Sequence, residues 1–303
     1  MQIIITILVT YNGEKWINQC IECILRSSIP TKLIIVDNAS TDSTKTIIRQ
    51  KYPELYLVEN NVNTGFGQAN NIGINYALSQ NADFVFLVNQ DAYLNSDTLE
   101  KLLIISNLHP EYGIISPLQM DGSGNNLDML FRKFISNNYS DDFIHQIETH
   151  APDLPGIFPV RFVNATAWFI TKKCLQTTGL FNPIFYHYGE DNHYCSRAQY
   201  HGFKVGISTD AKMQHDKIYD VPGDKLLLRK IQLDPLYILL DIRRNLVIAY
   251  LLVFWKLIGY TQKGISKKSK AILKLAGQKA SWVFTHFSLV RNIRRESKVP
   301  FIK

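Results

Sequence analysis

Cysteine is scarce in this chain of 303 residues, and long apolar runs, internal repeats and low-complexity tracts are missing. Of the four cysteines, Cys174 and Cys195 stand alone while Cys20 and Cys23 form a C-x-x-C. That pair falls mid-helix, between Trp16, Ile17 and Ile21, Ile24, Leu25, away from the helix start where a redox pair gains its lowered pKa. A second pair to complete a zinc site is lacking, so buried packing is the expected use. The longest unbroken apolar run, residues 246–255, is far shorter than the roughly 20 residues a spanning helix needs. The opening "MQIIITILVTYNG" is apolar only over a strand's length, with no basic leader and no small-residue cleavage site. No signal peptide is read there, and the few thiols fit the same cytosolic compartment.

What is present is enough apolar material for a sizeable core, 46% of the residues. The formal net charge of +7 conceals an asymmetry. Residues 1–220 hold 16 Lys+Arg against 22 Asp+Glu, a net −6, and residues 221–303 hold 17 against 4, a net +13. A basic tail on a mildly acidic body suits nucleic acid, an anionic membrane surface, or a plain solvated helical face.

From residue 3 to about 108, short β-rich runs alternate with helical-period segments, the pattern of a parallel sheet with crossover helices. Strands are expected at 3–9, 33–36, 55–58 and 83–88, and helices at 14–27, 42–52, 66–79 and 96–107. The strands are apolar throughout, as when helices cover both faces of the sheet. Residues 115–159, with Gly122, Gly124, Pro152, Pro155 and Gly156, read as a loop-rich excursion over the sheet edge. Then come "VRFVNATAWFIT" as a strand pair or strand and turn, the helix "GEDNHYCSRAQYHG" and the strand "FKVGIS". Composition shifts to Leu, Ile, Lys and Arg beyond Pro222, where the domain boundary is expected. This gives a first domain of 1–220, with halves 1–110 and 111–220, and a basic helical region of 221–303.

In such sheets ligands bind outside the carboxyl ends of the strands, which draws attention to four polar strand ends. The first, "VTYNG", offers Thr10, Tyr11 and Asn12. The second, "VDNASTD", puts Asp37 at a strand end before Ser40 and Thr41; it is either a helix-cap cluster or a carboxylate for a base N–H or ribose hydroxyl. In the third, "NTGFGQANNIG", Gly65 and Gly67 make a near miss of the dinucleotide fingerprint, with Asn70 where a third glycine belongs. An NAD-type oxidoreductase would use this loop, with Asp91 downstream to grip a ribose. At the fourth, "LVNQDA", Asn89 and Asp91 share one side of an extended chain around Gln90. Two oxygen donors side by side suit a hard divalent cation, Mg²⁺ or Mn²⁺, holding a diphosphate; an Asx turn is the other reading.

Further along stands "FYHYGEDNHYCSRAQYHGFKV". In a helix starting near Glu190, Asp191 lines up with Tyr194, Cys195 and Ala198, the more apolar face, and Glu190 with His193 and Arg197. An inward carboxylate is desolvated and its pKa raised toward the range of a general base, so Asp191 is expected to be the buried acid of the two. His215, placed just past the strand "FKVGIS", matters only beside a metal.

In this order the motifs resemble the family 2 glycosyltransferases, inverting nucleotide-sugar enzymes of the GT-A fold, over residues 3–216. The similarity is to the bacterial branch, including rhamnosyltransferase-like members, that builds O-antigen, lipopolysaccharide, capsule and other surface polysaccharides. It implies a Rossmann-like, mostly parallel α/β sheet flanked by helices, with the basic helical extension added. It also implies that Thr10, Tyr11 and Asn12 border the nucleotide, that Asp37 binds the base, and that Asn38 and Ser40 line that pocket. Gly65, Phe66, Asn70 and Asn71 would sit by the ribose and diphosphate, with Gln90 and Glu190 also in the donor site. Asn89 and Asp91 stand where the family's D-x-D motif binds the metal diphosphate, and His215 matches a later histidine of the metal shell. Asn89 replaces the first Asp and removes one charge. Asp191 matches the second acid of the family's Glu-Asp pair, the catalytic base that takes the acceptor's proton. The implied partners are a nucleotide-sugar donor, a UDP- or dTDP-sugar, and a glycan or lipid-linked acceptor. The tail, with basic residues beside Leu, Phe and Trp, fits peripheral contact with the inner face of a cytoplasmic membrane rather than nucleic acid.

Overall fold

The computed structural model describes residues 2–138, 141–149, 154–217 and 223–302. Its sheet begins with β1 (Ile4–Thr10), β2 (Lys32–Asp37), β3 (Tyr56–Glu59) and β4 (Phe84–Asn89), all parallel, in the spatial order β3-β2-β1-β4. Their unbroken apolar character follows from burial on both faces. Ile5, Ile7, Ile34, Val36, Val85 and Leu87 feed one core, and the alternate residues Ile4, Leu8, Leu33, Ile35, Phe84 and Phe86 feed the other. Helices α1 (Ile17–Leu25), α2 (Thr44–Lys51) and α4 (Thr98–Leu108) cover the second face, and α3 (Phe66–Ser79) covers the first. Cys20 and Cys23 lie in α1, with Cys20 fully buried and its thiol pushed well above the ordinary range by that burial. Packing is what this pair does.

Beyond β4 the sheet turns mixed. Antiparallel β8 (Ala167–Thr171) follows β4, then β6 (Tyr112–Asp121), β9 (Lys204–His215) and the short β5 (Ala92–Leu94), with β7 (Ile157–Val160) on β9. The stretch 115–159 is therefore more ordered than its glycines and prolines predict. It contains most of β6 and the helices α5 (Met129–Asn138) and α6 (Asp141–Glu148). Phe131, Ile135, Phe143, Ile144 and Ile147 from those helices enter the first core. Gly122 and Gly124 mark only the hairpin after β6, whereas Pro152 lies outside the described residues. β9 likewise runs longer than "FKVGIS" and ends on His215, because β5 pairs with it as far as Ala92 opposite His215.

After α7 (Lys172–Thr178) and α8 (Glu190–Tyr200) the chain reaches four helices: α9 (Gly223–Leu240), α10 (Leu246–Ser266), α11 (Lys270–Thr285) and α12 (Phe287–Glu296). The expected boundary near Pro222 falls outside the described residues. Leu236, Leu239, Ala249, Val253, Leu257, Val283 and Val290 form a core of their own, joined by Phe185 from the loop before α8. Asp241 ties the two parts: it accepts from Ser196 Oγ at 2.8 Å and pairs with Arg243 at 2.8 Å and Arg244 at 3.2 Å. Asn245 caps α10 by accepting from the N–H of Val247 at 2.9 Å. Among the described residues no helix is long and apolar enough to cross a membrane.

Candidate active site

The strand order reverses at β1: the chain moves to one side for β2 and to the other for β4, and in open sheets ligands bind outside the carboxyl ends at such a switch point. The register brings Thr10 of β1 beside Asp37 of β2, and Val9 beside Asn89 of β4, so the first, second and fourth polar strand ends share one edge.

Asp37 is 0% exposed. Its Oδ2 accepts the Ser40 N–H at 2.9 Å, while its Oδ1 is buried without a hydrogen-bond partner. Ser40 Oγ accepts the Asn12 N–H at 2.9 Å, and Asn12 Oδ1 accepts the Thr41 N–H at 2.8 Å, stitching the first two strand ends together. Asn12 holds φ +48, and the Tyr11 ring beside it is 44% exposed. Gln90 clamps the same loop. Its Oε1 accepts from Thr10 Oγ1 at 2.6 Å and from the Tyr11 N–H at 2.9 Å, and its Nε2 donates to the Tyr11 carbonyl at 3.2 Å. A Cβ at Gly13 would stand 2.3 Å from Gln90 Oε1, so the clamp requires glycine there.

Asn38 sits behind this wall: its Oδ1 accepts from Asn60 and Thr64, and its Nδ2 donates to Asn63. Its amide is spent on positioning the loop that leads to Gly65. At Gly65, φ is +84 and a Cβ would lie 1.9 Å from the Tyr186 carbonyl oxygen; at Gly67 it would lie 2.9 Å from the Phe181 Cβ and 3.4 Å from the Glu190 Cβ. The glycine pair that resembled a dinucleotide loop thus lets the start of α3 approach the segment leading into α8. Phe66 meets Phe181 edge-on, with centroids 6.1 Å apart. Asn71 clasps the same residue, accepting the Phe181 N–H at 2.8 Å and donating to its carbonyl at 2.9 Å. Asn70 donates to the Phe66 carbonyl within its own helix.

At the fourth strand end, Asn89 Oδ1 and Asp91 Oδ1 are buried and lack hydrogen-bond partners. His215 Nε2 lies 3.5 Å from Asp91 Oδ2, and His215 Nδ1 lies 3.4 Å from Asp128 Oδ2. Burial disfavours the charged imidazole, but Asp128 and Asp91 outweigh it and raise the His215 pKa. The backbone closes the cluster: the Asp216 N–H donates to the Asp91 carbonyl at 2.8 Å, and Asp216 Oδ2 accepts from Trp16 Nε1 at 2.9 Å. Among the described residues no three His, Cys, Asp or Glu side chains form a ready metal cage. The open carboxylate oxygen of Asp91 beside the His215 imidazole, with the open amide oxygen of Asn89 two residues earlier, nevertheless fits a hard divalent cation whose remaining ligands come from elsewhere. Asp128 and Asp216 were not singled out in the sequence. The only local signal for Asp128 is an acid just before the helical run "MLFRKF".

The acid pair opens α8 after Tyr188 and Gly189, both with positive φ, +68 and +101. Glu190 is only 4% exposed and its Oε2 has no partner; Asp191 is partly exposed, its Oδ1 accepting the Asn192 N–H at 2.7 Å. This departs from the expectation that Asp191 alone faces inward. His193 and Arg197, on the supposed outer face, are buried as well: Phe185, stacked on Tyr237 of α9, packs against His193, and the Arg197 guanidinium donates to the Thr178 carbonyl at 2.7 Å and the Leu180 carbonyl at 2.5 Å. Burial lifts both carboxyls above the ordinary range, and Asp191 adds to the lift on Glu190. The acid pair and the strand ends meet through one loop. The Ala165 backbone interacts with Asp191, and the next carbonyl, Thr166, accepts the Asn89 N–H at 2.9 Å.

A mixed sheet that reverses its strand order at β1, with helices on both faces and further helices at the C-terminal end, is the GT-A glycosyltransferase architecture. Residues 1–349 of Staphylococcus aureus TarS share this fold with a TM-score of 0.60 at 17% identity, covering 98% of this chain and 88% of that one. The Pyrobaculum calidifontis mannosyltransferase PcManGT, solved with GDP-Man and Mn²⁺, shares it at 0.59 and 16% identity, covering 97% and 83%. The chain belongs to glycosyl transferase family 2, whose model matches residues 5–166. Among its relatives, the low-salt glycan biosynthesis hexosyltransferase Agl10 of Haloferax volcanii is 26% identical over 66% of this chain, the match spanning 62% of that relative's length. The dTDP-rhamnosyl transferase RfbF of Shigella flexneri is 25% identical over 70% of this chain and 68% of its own.

Proposed function

We propose that this protein is an inverting, metal-dependent glycosyltransferase that moves a sugar from a UDP- or dTDP-linked donor to a hydroxyl of a glycan or lipid-linked acceptor, in bacterial surface polysaccharide synthesis. The observation that carries this reading is the row of buried, unpartnered oxygens, Asp37 Oδ1, Asn89 Oδ1 and Asp91 Oδ1, along one crevice that also neighbours a desolvated acid pair. Unsatisfied buried acceptors are costly and call for a ligand. The names of RfbF and of the mycobacterial N-acetylglucosaminyl-diphospho-decaprenol L-rhamnosyltransferase, 27% identical over 39% of this chain, support a dTDP-sugar and a lipid-linked acceptor.

On this reading Asp37 Oδ1 accepts the imide N–H of uracil or thymine, and Tyr11 flanks the base. Asn12, Ser40 and Gln90 hold the loop that shapes this pocket. Asp91, Asn89 and His215 would hold Mg²⁺ or Mn²⁺, which when bound neutralises charge on the departing diphosphate. Asp191 takes the proton of the acceptor hydroxyl as its oxygen bonds to the anomeric carbon; the bond to the diphosphate oxygen breaks on the opposite face and leaves with its electron pair, inverting the centre. Glu190, more deeply buried, keeps its proton, and this lets Asp191 ionise beside it.

We assign the chemistry to residues 1–220 and membrane contact at the inner face of the cytoplasmic membrane to 221–303. Exposed Val247, Leu251 and Phe254 on α10, with Phe284 on α11, line an apolar groove of about 660 Å³ in this basic region, and the exposed Trp255 ring meets Phe254 edge-on. Apolar and aromatic groups among lysines are the chemistry of an interfacial surface on anionic lipid. The functional reading is tested by a panel of UDP- and dTDP-sugars followed for Mn²⁺-dependent nucleotide release, with NAD as the control. Binding of NAD alone, indifferent to chelator, overturns it.

A further inference from the structure

We infer that Asp128 is the positioning residue of the cation site: it fixes the proton of the His215 imidazole on Nδ1 and so leaves the Nε2 lone pair for the metal. The inference rests on the metal reading proposed above and goes beyond it in naming a residue outside the strand-end motifs.

His215 is held from both sides before its side chain is considered. It ends β9, pairing with Ala92 of β5 and with Asp121 of β6. Asp128 returns to the same edge through the hairpin after β6, closed by the Met120 to Leu127 bridge and by the Asp128 N–H donating to the Gln119 carbonyl at 2.8 Å. Asp128 is 2% exposed, and its two carboxylate oxygens have separate tasks. Oδ1 accepts the Phe131 N–H at 2.8 Å and caps α5, while Oδ2 lies 3.4 Å from His215 Nδ1, within ion-pair range though longer than an aligned hydrogen bond. The opposite ring nitrogen, Nε2, faces Asp91 Oδ2 at 3.5 Å. A neutral imidazole has one donor and one acceptor nitrogen. A buried carboxylate at Nδ1 selects the donor there and directs the acceptor nitrogen toward Asp91, the orientation that carboxylate-histidine-metal arrangements use.

Asp128→Asn separates this role from the cap. An asparagine oxygen caps a helix about as well as aspartate. Its NH₂, however, would face Nδ1 with a donor, so the ring must accept there and carry its proton on Nε2, against the cation. Mn²⁺ uptake is measured by the loss of the free-ion EPR signal, with UDP and separately with dTDP, for the wild type, Asp128→Asn, His215→Ala and the double variant. The expected result is a roughly 10- to 100-fold loss of Mn²⁺ affinity in Asp128→Asn. Metal-free nucleotide binding and the melting temperature stay unchanged, and the double variant loses little beyond His215→Ala. Affinity within twofold of wild type, or losses that simply add, overturns the role of Asp128 while leaving the metal site standing. Absence of nucleotide-promoted Mn²⁺ uptake in the wild type overturns the metal reading itself, and this inference with it.

Discussion

Asp191 and Glu190 are adjacent carboxyls with different surroundings, and in the proposed mechanism the difference sets their work. Both titrate above free carboxyls because burial penalises the charged form, with apparent values that belong to the pair. A base functions only when ionised, so kcat should fall as pH drops through a value above the roughly 4 of a free aspartate, and pH-rate profiles check this. Asp37→Asn keeps the size of the side chain but offers either oxygen or NH₂ where the proposed base pocket needs an acceptor. The expected outcome is a rise of about tenfold or more in the donor KM, with kcat moving less, read by steady-state kinetics. Sequence pattern was enough to place Asp37, Asn89 and Asp91 at strand ends, because each comes where an apolar strand stops abruptly on polar residues. It did not reveal Asp128, whose meaning depends on a hairpin that brings it to a histidine far along the chain.

At the level of elements, α8 carries the lesson about burial. Its own periodicity marks one apolar face, yet Glu190, His193 and Arg197 are buried too, His193 against Phe185 and Arg197 against the Thr178 and Leu180 carbonyls, which a single helix cannot announce. The same holds for the middle of the chain, where α5 and α6 complete the first core behind glycines and prolines that suggested only loop. The link between α8 and the C-terminal helices is electrostatic at Asp241. Burial alone would raise its pKa, but Arg243 and Ser196 outweigh burial and bring it down to about 2. A depressed carboxyl contributes its stability above the unfolded-state value near 4 and loses it as pH falls from there toward about 2. Asp241→Asn should therefore cost on the order of 2 kcal/mol at neutral pH, and the difference from wild type in denaturant melts should shrink across that acidic window.

For the molecule as a whole, charge and exposed apolar surface divide in the same way. The mildly acidic body holds the crevice, and the +13 tail holds Trp255, 67% exposed, beside Phe254 and Leu251. If this face meets anionic lipid, Trp255→Glu should reduce co-sedimentation with phosphatidylglycerol vesicles several-fold. Wild-type binding should also weaken with added salt, as screening predicts. The fold class was readable from the alternation of strands and helices up to β4. The mixed order of the remaining strands was not, because β5, β6 and β9 are joined by pairings between distant segments.

The central claim is that the crevice holds a nucleotide sugar for attack by a hydroxyl that Asp191 deprotonates. The most direct measurement is nucleotide release from the preferred UDP- or dTDP-sugar in the presence of Mn²⁺ and acceptor, comparing wild type with Asp191→Asn. A loss of roughly 10²- to 10⁴-fold in kcat, with donor binding intact by calorimetry, is the predicted result. Full turnover by Asp191→Asn would contradict the assignment.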